Sequence, residues 1–396
     1  MKILVVSQFY YPDNFRINDI GSELVRQGHT VSVLTGLPDY TTSRIPQEYR
    51  WLKKRHETIN GVKITRVPTI ARRQGIMWRM VNYFSFSLSS SLYALYADKN
   101  VDSIFVYGMS PIFQALPAIV FKKRTKKKLV LYCCDLWPES MKAWGIQESN
   151  PIFKAVKWIS GWIYRQCDIV AITSTPFRSY LTTVCGVDDQ KIVYLPQHAE
   201  DDYADIACQY EDNDCIDFVF AGNIGSVQNV DIILRASAKI NVDKHFMVHI
   251  VGDGSELENC KQLATELNLN SNIIFHGRYP LSEMKQFYKI TDCFLLTLRS
   301  GDFIGKTLPA KAQGYLCAGK PIVAAIDGAG REMIEESDCG EVVAASDVDG
   351  LALSMTKVID NFDFYKTKGK NGRKFYEQNY TKEIFMRHLL NILEGE

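Results

Sequence analysis

The chain opens on an apolar run, "KILVVSQFY", with no polar residue between positions 3 and 6. A strand that is apolar on both faces belongs inside a parallel sheet covered by helices on each side. The next stretch, "NDIGSELVRQGH", spaces Ile20, Leu24 and Val25 along one helical face and stops at Gly28, a residue suited to the position just past a helix end. "TVSVLTG" then reads as a second strand, and strand, helix and strand within about 35 residues make one βαβ unit.

The rhythm continues through apolar segments at 102–108, 128–135, 168–174 and 191–197, with helices from about 111 and near 151–166. It pauses in an acidic, irregular stretch. It restarts at 216–223, 246–254, 272–277, 293–298 and 321–327, with helices at about 227–240, 255–268 and 282–289 and one before Gly319. The pattern predicts an α/β protein with two Rossmann-like parallel-sheet domains facing across a cleft, at 1–197 and 216–375. Residues 198–215 read as a linker, and 376–396 as a terminal amphipathic helix able to cross back onto the first domain. Ligands of such sheets sit outside the C-terminal ends of the strands, so the loops there carry the candidate chemistry.

A chain of 396 residues suffices for two domains, and 46% hydrophobic with 23% charged residues is the balance of a soluble globular protein. Net charge is +1, which argues against nucleic acid as a partner, but the charge is unevenly spread. Residues 44–79 hold ten Lys/Arg against Glu48 and Glu57, "KKRTKKK" follows at 122–128, and 200–217 carries eight acids with no Lys or Arg. The ten cysteines form no C-x-x-C pair and mostly sit among apolar residues, as expected of free thiols in a reducing cytoplasm. The first apolar run is too short for a signal peptide. No His/Asp/Glu cluster has metal-ligand spacing, so no metal or other cofactor is expected.

Each candidate residue has a functional and an ordinary reading. Asn14 and Arg16 lie in the long aromatic loop after the first strand, where Arg16 near a helix start would clamp a phosphate or pair with a neighbouring aspartate. "YCCDLWPES" leaves a strand and offers Asp135 and Glu139 to sugar hydroxyls and the Trp137 ring to a sugar face, with helix capping as the alternative. In the second half, Gly222 and Asn223, then Gly252 and Gly254, follow strands and leave room for a diphosphate near backbone N–H groups. Arg278 follows the third strand there, and Lys306, Lys311 and Gln313 follow the fourth, where two lysines would meet one diphosphate. Residues 72–96 join arginines to Trp78, Met80, Phe84, Phe86 and Leu88, reading as an interfacial membrane helix or as a core helix with serines facing solvent.

Taken together and in order, "SQFYYPDNFRINDIGSELVRQGHTVSVLTGLPDY", "DLWPES", "FAGNIG", "VGDG" and "PAKAQGYLCAGKPI" resemble the bacterial family-4 retaining glycosyltransferases of GT-B type. The similarity lies with the N-acetyl-L-fucosaminyltransferase-like (WbuB-type) branch of surface polysaccharide biosynthesis. That resemblance implies metal-independent transfer from a UDP-sugar, bound by the C-terminal domain, to a lipid-diphosphate-linked saccharide on the N-terminal side, at the cytoplasmic face of the inner membrane. It implies that Gly222, Asn223, Lys306, Lys311 and Gln313 contact the donor and that Asp135 and Glu139 face the reacting centre. Two departures stand out: Asn223 and Gln228 occupy a loop where many relatives carry Arg and Lys, and Lys306 and Gly314 replace a widely shared pair of glutamates. Lysines at 306 and 311 would restore the missing positive charge. A UDP-sugar 2-epimerase and a non-catalytic nucleotide-sugar-binding scaffold are the competing expectations.

Overall fold

The computed structural model describes residues 1–395 except 42, 74, 200, 212 and 302–306, and only the backbone of 143, 201 and 202. Two compact units divide the chain: Met1–Leu195 together with the residues from Met386 onward, and Pro196–Phe385.

The first unit is built on eight strands: β1 (Lys2–Val6), β2 (Thr30–Thr35), β3 (His56–Ile59), β4 (Val62–Arg66), β5 (Ser103–Gly108), β6 (Lys128–Cys133), β7 (Ile169–Ile172) and β8 (Ile192–Tyr194). Their order is β3-β4-β2-β1-β5-β6-β7-β8. All pairings are parallel except that of β3 with β4. This hairpin lies within the stretch that the sequence showed only as basic. Its turn sits at Asn60 and Gly61, both with positive φ, as an Asn-Gly hairpin turn requires. Arg66, counted there among the basic residues, is an internal group. It is fully buried, pairs with Glu57 at 2.9 Å and donates to the carbonyls of Lys54 and Tyr11.

The helix Ile76–Tyr96 turns its serines inward. Ser87 and Ser90 are buried and donate to the carbonyls of Tyr83 and Phe86, which lets them face the core without loss of hydrogen bonding. Phe86 is buried with them, whereas Met77, Phe84, Leu88, Leu92 and Leu95 are exposed, Leu88 to 66%. A buried polar network lies next to this helix. Gln8 N donates to Gln114, Gln8 Nε2 to Asn82, and Asn82 Nδ2 to Asp39, whose carboxylate also accepts from Arg72 N at 2.7 Å. Burial raises the Asp39 pKa from 3.8 to about 6.

The second unit has six parallel strands: β9 (Cys215–Ala221), β10 (His245–Val251), β11 (Ile273–Gly277), β12 (Cys293–Thr297), β13 (Ile322–Ala325) and β14 (Gly340–Val343). Their order is β11-β10-β9-β12-β13-β14. Alternate residues feed two cores, Phe218, Phe220 and Leu295 on one face and Val219, Ala221 and Leu296 on the other. That explains why these strands read as unbroken apolar runs.

Two expected boundaries change. Residues 198–215 fold with the second unit, since Ala199, Tyr203 and Ile206 enter its core and Tyr203 stacks on Tyr288 at 4.0 Å. The terminal helix begins at Lys382, after a separate helix Phe362–Asn379. Its residues from Met386 onward group with the first unit, where the Ile392 carbonyl accepts from Lys128 Nζ at the start of β6.

The loops leaving β9 and β10 are pressed together. Gly222 and Gly252 have φ of 147° and 149°, and a Cβ on Gly252 would lie 1.8 Å from the Gly222 carbonyl oxygen. Replacing Gly252 by alanine therefore forces the two loops apart and is expected to lower unfolding free energy by about 3 kcal/mol, read from urea denaturation.

Asp39 gives a second expectation. Its folded pKa lies above the unfolded value, so its contribution to stability is complete below about pH 4 and is lost as pH rises through about 6. D39N keeps an acceptor for Arg72 N and Asn82 without the buried charge. At pH 7.5 it should stabilise the protein by about 2 kcal/mol, with the difference vanishing near pH 4 in parallel melts.

Candidate active site

Asn223 Nδ2 donates to Gln228 Oε1 at 3.0 Å, and Gly225 N donates to the same oxygen, closing the loop after β9 on itself. Ile224 N bonds to the Asp253 carbonyl and Glu256 N to that of Ile224, while Gly252 N bonds to the carbonyl of Gly277. The loops after β9, β10 and β11 thus form one hydrogen-bonded rim that carries Gly222, Asn223, Gly252 and Gly254 and leads into the exposed Arg278. Gly254 is required there because a Cβ would lie 2.3 Å from the Ile224 carbonyl oxygen. The helix after the first of these loops starts at Asp231, later than the sequence pattern indicated.

Lys311 reaches this rim from the helix Lys311–Ala318. Its Nζ stands 3.5 Å from the Phe220 ring centroid and 3.6 Å from where a Cβ on Gly222 would be. The amine is buried without a hydrogen-bond partner among the described residues, and desolvation holds its pKa at about 7 instead of 10.5. The helix that carries it is anchored by Tyr315, one turn further along. Tyr315 stacks on Phe294 at 3.9 Å, and its hydroxyl both accepts from Ala221 N and donates to the Ala221 carbonyl. This anchor escaped the sequence reading, although a tyrosine within an otherwise small-residue helix marks a buried hydroxyl that needs partners.

Gln313 is almost fully buried, with its Oε1 unpartnered among the described residues. Lys306 lies outside the described residues. At Gly314 a Cβ would lie 3.1 Å from the Tyr288 hydroxyl and 3.3 Å from the Tyr203 ring, so stacked tyrosines fill the space beside this position. No group of three or more His, Cys, Asp or Glu among the described residues is arranged to hold a metal.

In the first unit the structure separates residues that the sequence grouped. Asp135 is half-buried, and its carboxylate accepts from Ser110 N at 2.8 Å and Ser110 Oγ at 2.7 Å. Trp137 is wholly buried between Phe113 and Trp144 and donates to Ser110 Oγ, so its ring cannot stack on a sugar. Glu139 is 2% exposed and paired with Lys142 at 2.7 Å, which gives it a structural task instead of a place at a reacting centre. Asn14 is exposed, and Arg16 begins the helix Arg16–Arg26, half-buried. Asp13 is engaged elsewhere, accepting from Tyr40 N and from Thr41 N and Oγ1.

Comparison with known proteins gives this arrangement a context. Residues 14–198 match the glycosyl transferase 4-like domain and residues 209–375 match glycosyl transferases group 1. The putative colanic acid biosynthesis glycosyl transferase WcaI of Escherichia coli K12 is 24% identical over 81% of this chain and 82% of its own length. Among solved structures, Anabaena HepE in complex with UDP and glucose superposes with a TM-score of 0.71 at 14% identity, over 100% of both chains. WaaG, a glycosyltransferase involved in lipopolysaccharide biosynthesis, gives 0.68 at 13% identity, again over 100% of both. With one family model on each of its two parallel-sheet units, the chain belongs to the glycosyltransferases of GT-B fold, 4-like in its first unit and group 1 in its second.

Proposed function

We propose that this glycosyltransferase moves a sugar, an N-acetylated deoxyhexose such as N-acetyl-L-fucosamine, from a UDP-sugar to a lipid-diphosphate-linked saccharide. The transfer retains anomeric configuration, needs no metal, and serves O-antigen or capsule assembly at the cytoplasmic face of the inner membrane. The observation that carries the reading is Lys311: its amine is buried without a hydrogen-bond partner among the described residues, at the glycine-lined end of β9, where an anionic group would pair with it. HepE, a protein of the same fold, is solved with UDP and with UDP-glucose. An epimerase or a binding-only scaffold is not favoured, because both family models describe transferases.

The chemistry follows from charge development. As the bond from sugar to diphosphate breaks, negative charge grows on the β-phosphate, and a preplaced ammonium in an apolar wall stabilises it far better than water does. Burial that lowers the Lys311 pKa is reversed when the diphosphate arrives, so binding draws a proton onto the amine. The acceptor hydroxyl attacks on the face the diphosphate is leaving, and a phosphate oxygen takes its proton. On the acceptor side, the partly exposed carboxylate of Asp135 remains available to a sugar hydroxyl.

The helix Ile76–Tyr96 supports membrane contact. Its outward row of Met77, Phe84, Leu88, Leu92 and Leu95 is apolar, Arg72 and Arg73 precede it, and no described helix is long and apolar enough to cross a membrane. Such a row beside basic residues suits an anionic bilayer surface.

Lys311→Ala should lower turnover by about 10² or more in a donor-transfer assay with the fold intact. UDP affinity should also fall about tenfold per unit as pH rises above about 7.5, where the phosphate is already fully ionised, and Lys311→Ala should flatten that slope in calorimetric titrations. Unchanged turnover and an unchanged slope would remove Lys311 from the mechanism. For the helix, L88S/L92S should weaken co-sedimentation with phosphatidylglycerol liposomes by about tenfold or more while leaving UDP binding as it was.

A further inference from the structure

The first unit contains a concavity of about 1580 Å³ that the strand-end motifs did not mark. Apolar side chains of Leu37, Ile45 and Trp51 line it together with three arginines, Arg44, Arg50 and Arg73, and no acidic residue is among its described walls. Its volume exceeds that of most small-molecule sites, which run to about 1000 Å³. Guanidinium groups recognise phosphate oxygens through paired, planar hydrogen bonds, and apolar walls beside them select a ligand whose charge is compact and whose remainder is greasy. Trp51 at its edge is 93% exposed, and both Trp51 and Leu52 hold positive φ, a conformation that bulky residues adopt only where the surroundings impose it.

The position of the cavity narrows the ligand further. Arg73 lies over the Trp78 ring at 4.5 Å, and Trp78 stands near the start of the outward apolar row of helix Ile76–Tyr96. Ile70 N donates to Ser85 Oγ at 3.0 Å, which fixes the wall formed by residues 68–73 against the same helix. An arginine of the cavity therefore adjoins the surface suited to a bilayer. A water-soluble phosphate compound has no use for that apolar row. A lipid diphosphate uses both features, with its head among the arginines and its chain running toward the apolar row.

We propose that this cavity, and not the loops carrying Asn14, Arg16 and Trp137, seats the diphosphate head and first lipid segment of the acceptor. The proposal rests on the lipid-diphosphate reading above and gives it a site. Arg44, Arg50 and Arg73 hold the two phosphates, and Trp51 covers the first apolar segment of the chain.

The test uses the full chain, titrated with geranylgeranyl diphosphate in neutral detergent, with inorganic pyrophosphate and, separately, with phosphatidylglycerol vesicles. Wild-type protein should bind the prenyl diphosphate, and R44Q/R73Q should weaken that binding by about tenfold or more while UDP affinity and melting temperature stay unchanged. Trp51→Ala should weaken the prenyl ligand and leave pyrophosphate unaffected. Equal affinity of R44Q/R73Q and wild type for the prenyl diphosphate overturns the proposal. So does a variant that loses vesicle binding alone, since the arginines would then form a general basic patch. Prenyl diphosphate binding that depends on these arginines, in a protein that yields no glycolipid from any UDP-sugar, upholds the cavity and rejects the transfer reading instead.

Discussion

A primary amine held in an apolar wall is the constraint around which the second unit is organised. Lys311 faces the Phe220 ring and Gly222, and no described carboxylate or carbonyl accepts from it. Burying an ammonium without compensation is costly, and the depressed pKa expresses that cost. The arrangement persists because the neighbouring structure is rigid. Tyr315 is locked between Phe294 and the backbone of Ala221, and Gly222 and Gly252 bring two loops so close that neither has room to shift. Stability is given up locally, and on the donor reading proposed above this is what provides an anion site that needs no rearrangement when the diphosphate charge develops.

The first unit solves a different problem. Its helix Ile76–Tyr96 buries serines and exposes leucines, the reverse of what a water-facing helix does. Buried hydroxyls are satisfied by carbonyls one turn back, so the inward face costs little. The outward face has no such compensation in water, and it is this imbalance that the proposed membrane contact would relieve. Arg73 joins that face to the cavity through its contact with Trp78.

Much of this was legible in the residue pattern, and the failures have definite causes. The apolar runs located most of the parallel strands because burial on both faces leaves no polar position to confuse the pattern. The hairpin of β3 and β4 is masked in the pattern by the basic run Lys53-Lys54-Arg55 just before it and by strands of only four and five residues, although Asn60-Gly61 between alternating residues is the available signal. Trp137 and Glu139 were assigned to ligand because a strand-end loop carries them. A loop that folds back under itself places such residues in the interior, where Trp137 packs between aromatic rings and Glu139 meets Lys142. Asp39 drew no notice because nothing local distinguishes it; its neighbours Asn82 and Arg72 arrive from more than thirty residues away.

The sequence by itself determined the strand-and-helix alternation, the two-domain α/β class and the glycine loops at strand ends, because these depend on periodicity and on local backbone freedom, which neighbouring residues dictate. It also pointed to Lys311. Only the tertiary structure decided that this lysine is desolvated, that Asn223 and Gln228 hold each other, that the serines of the long helix face inward, and that three separated arginines share one cavity. Each of those facts depends on what lies across a sheet or loop from a given residue. Solvation and pairing are set by such distant neighbours, and a linear pattern does not contain them.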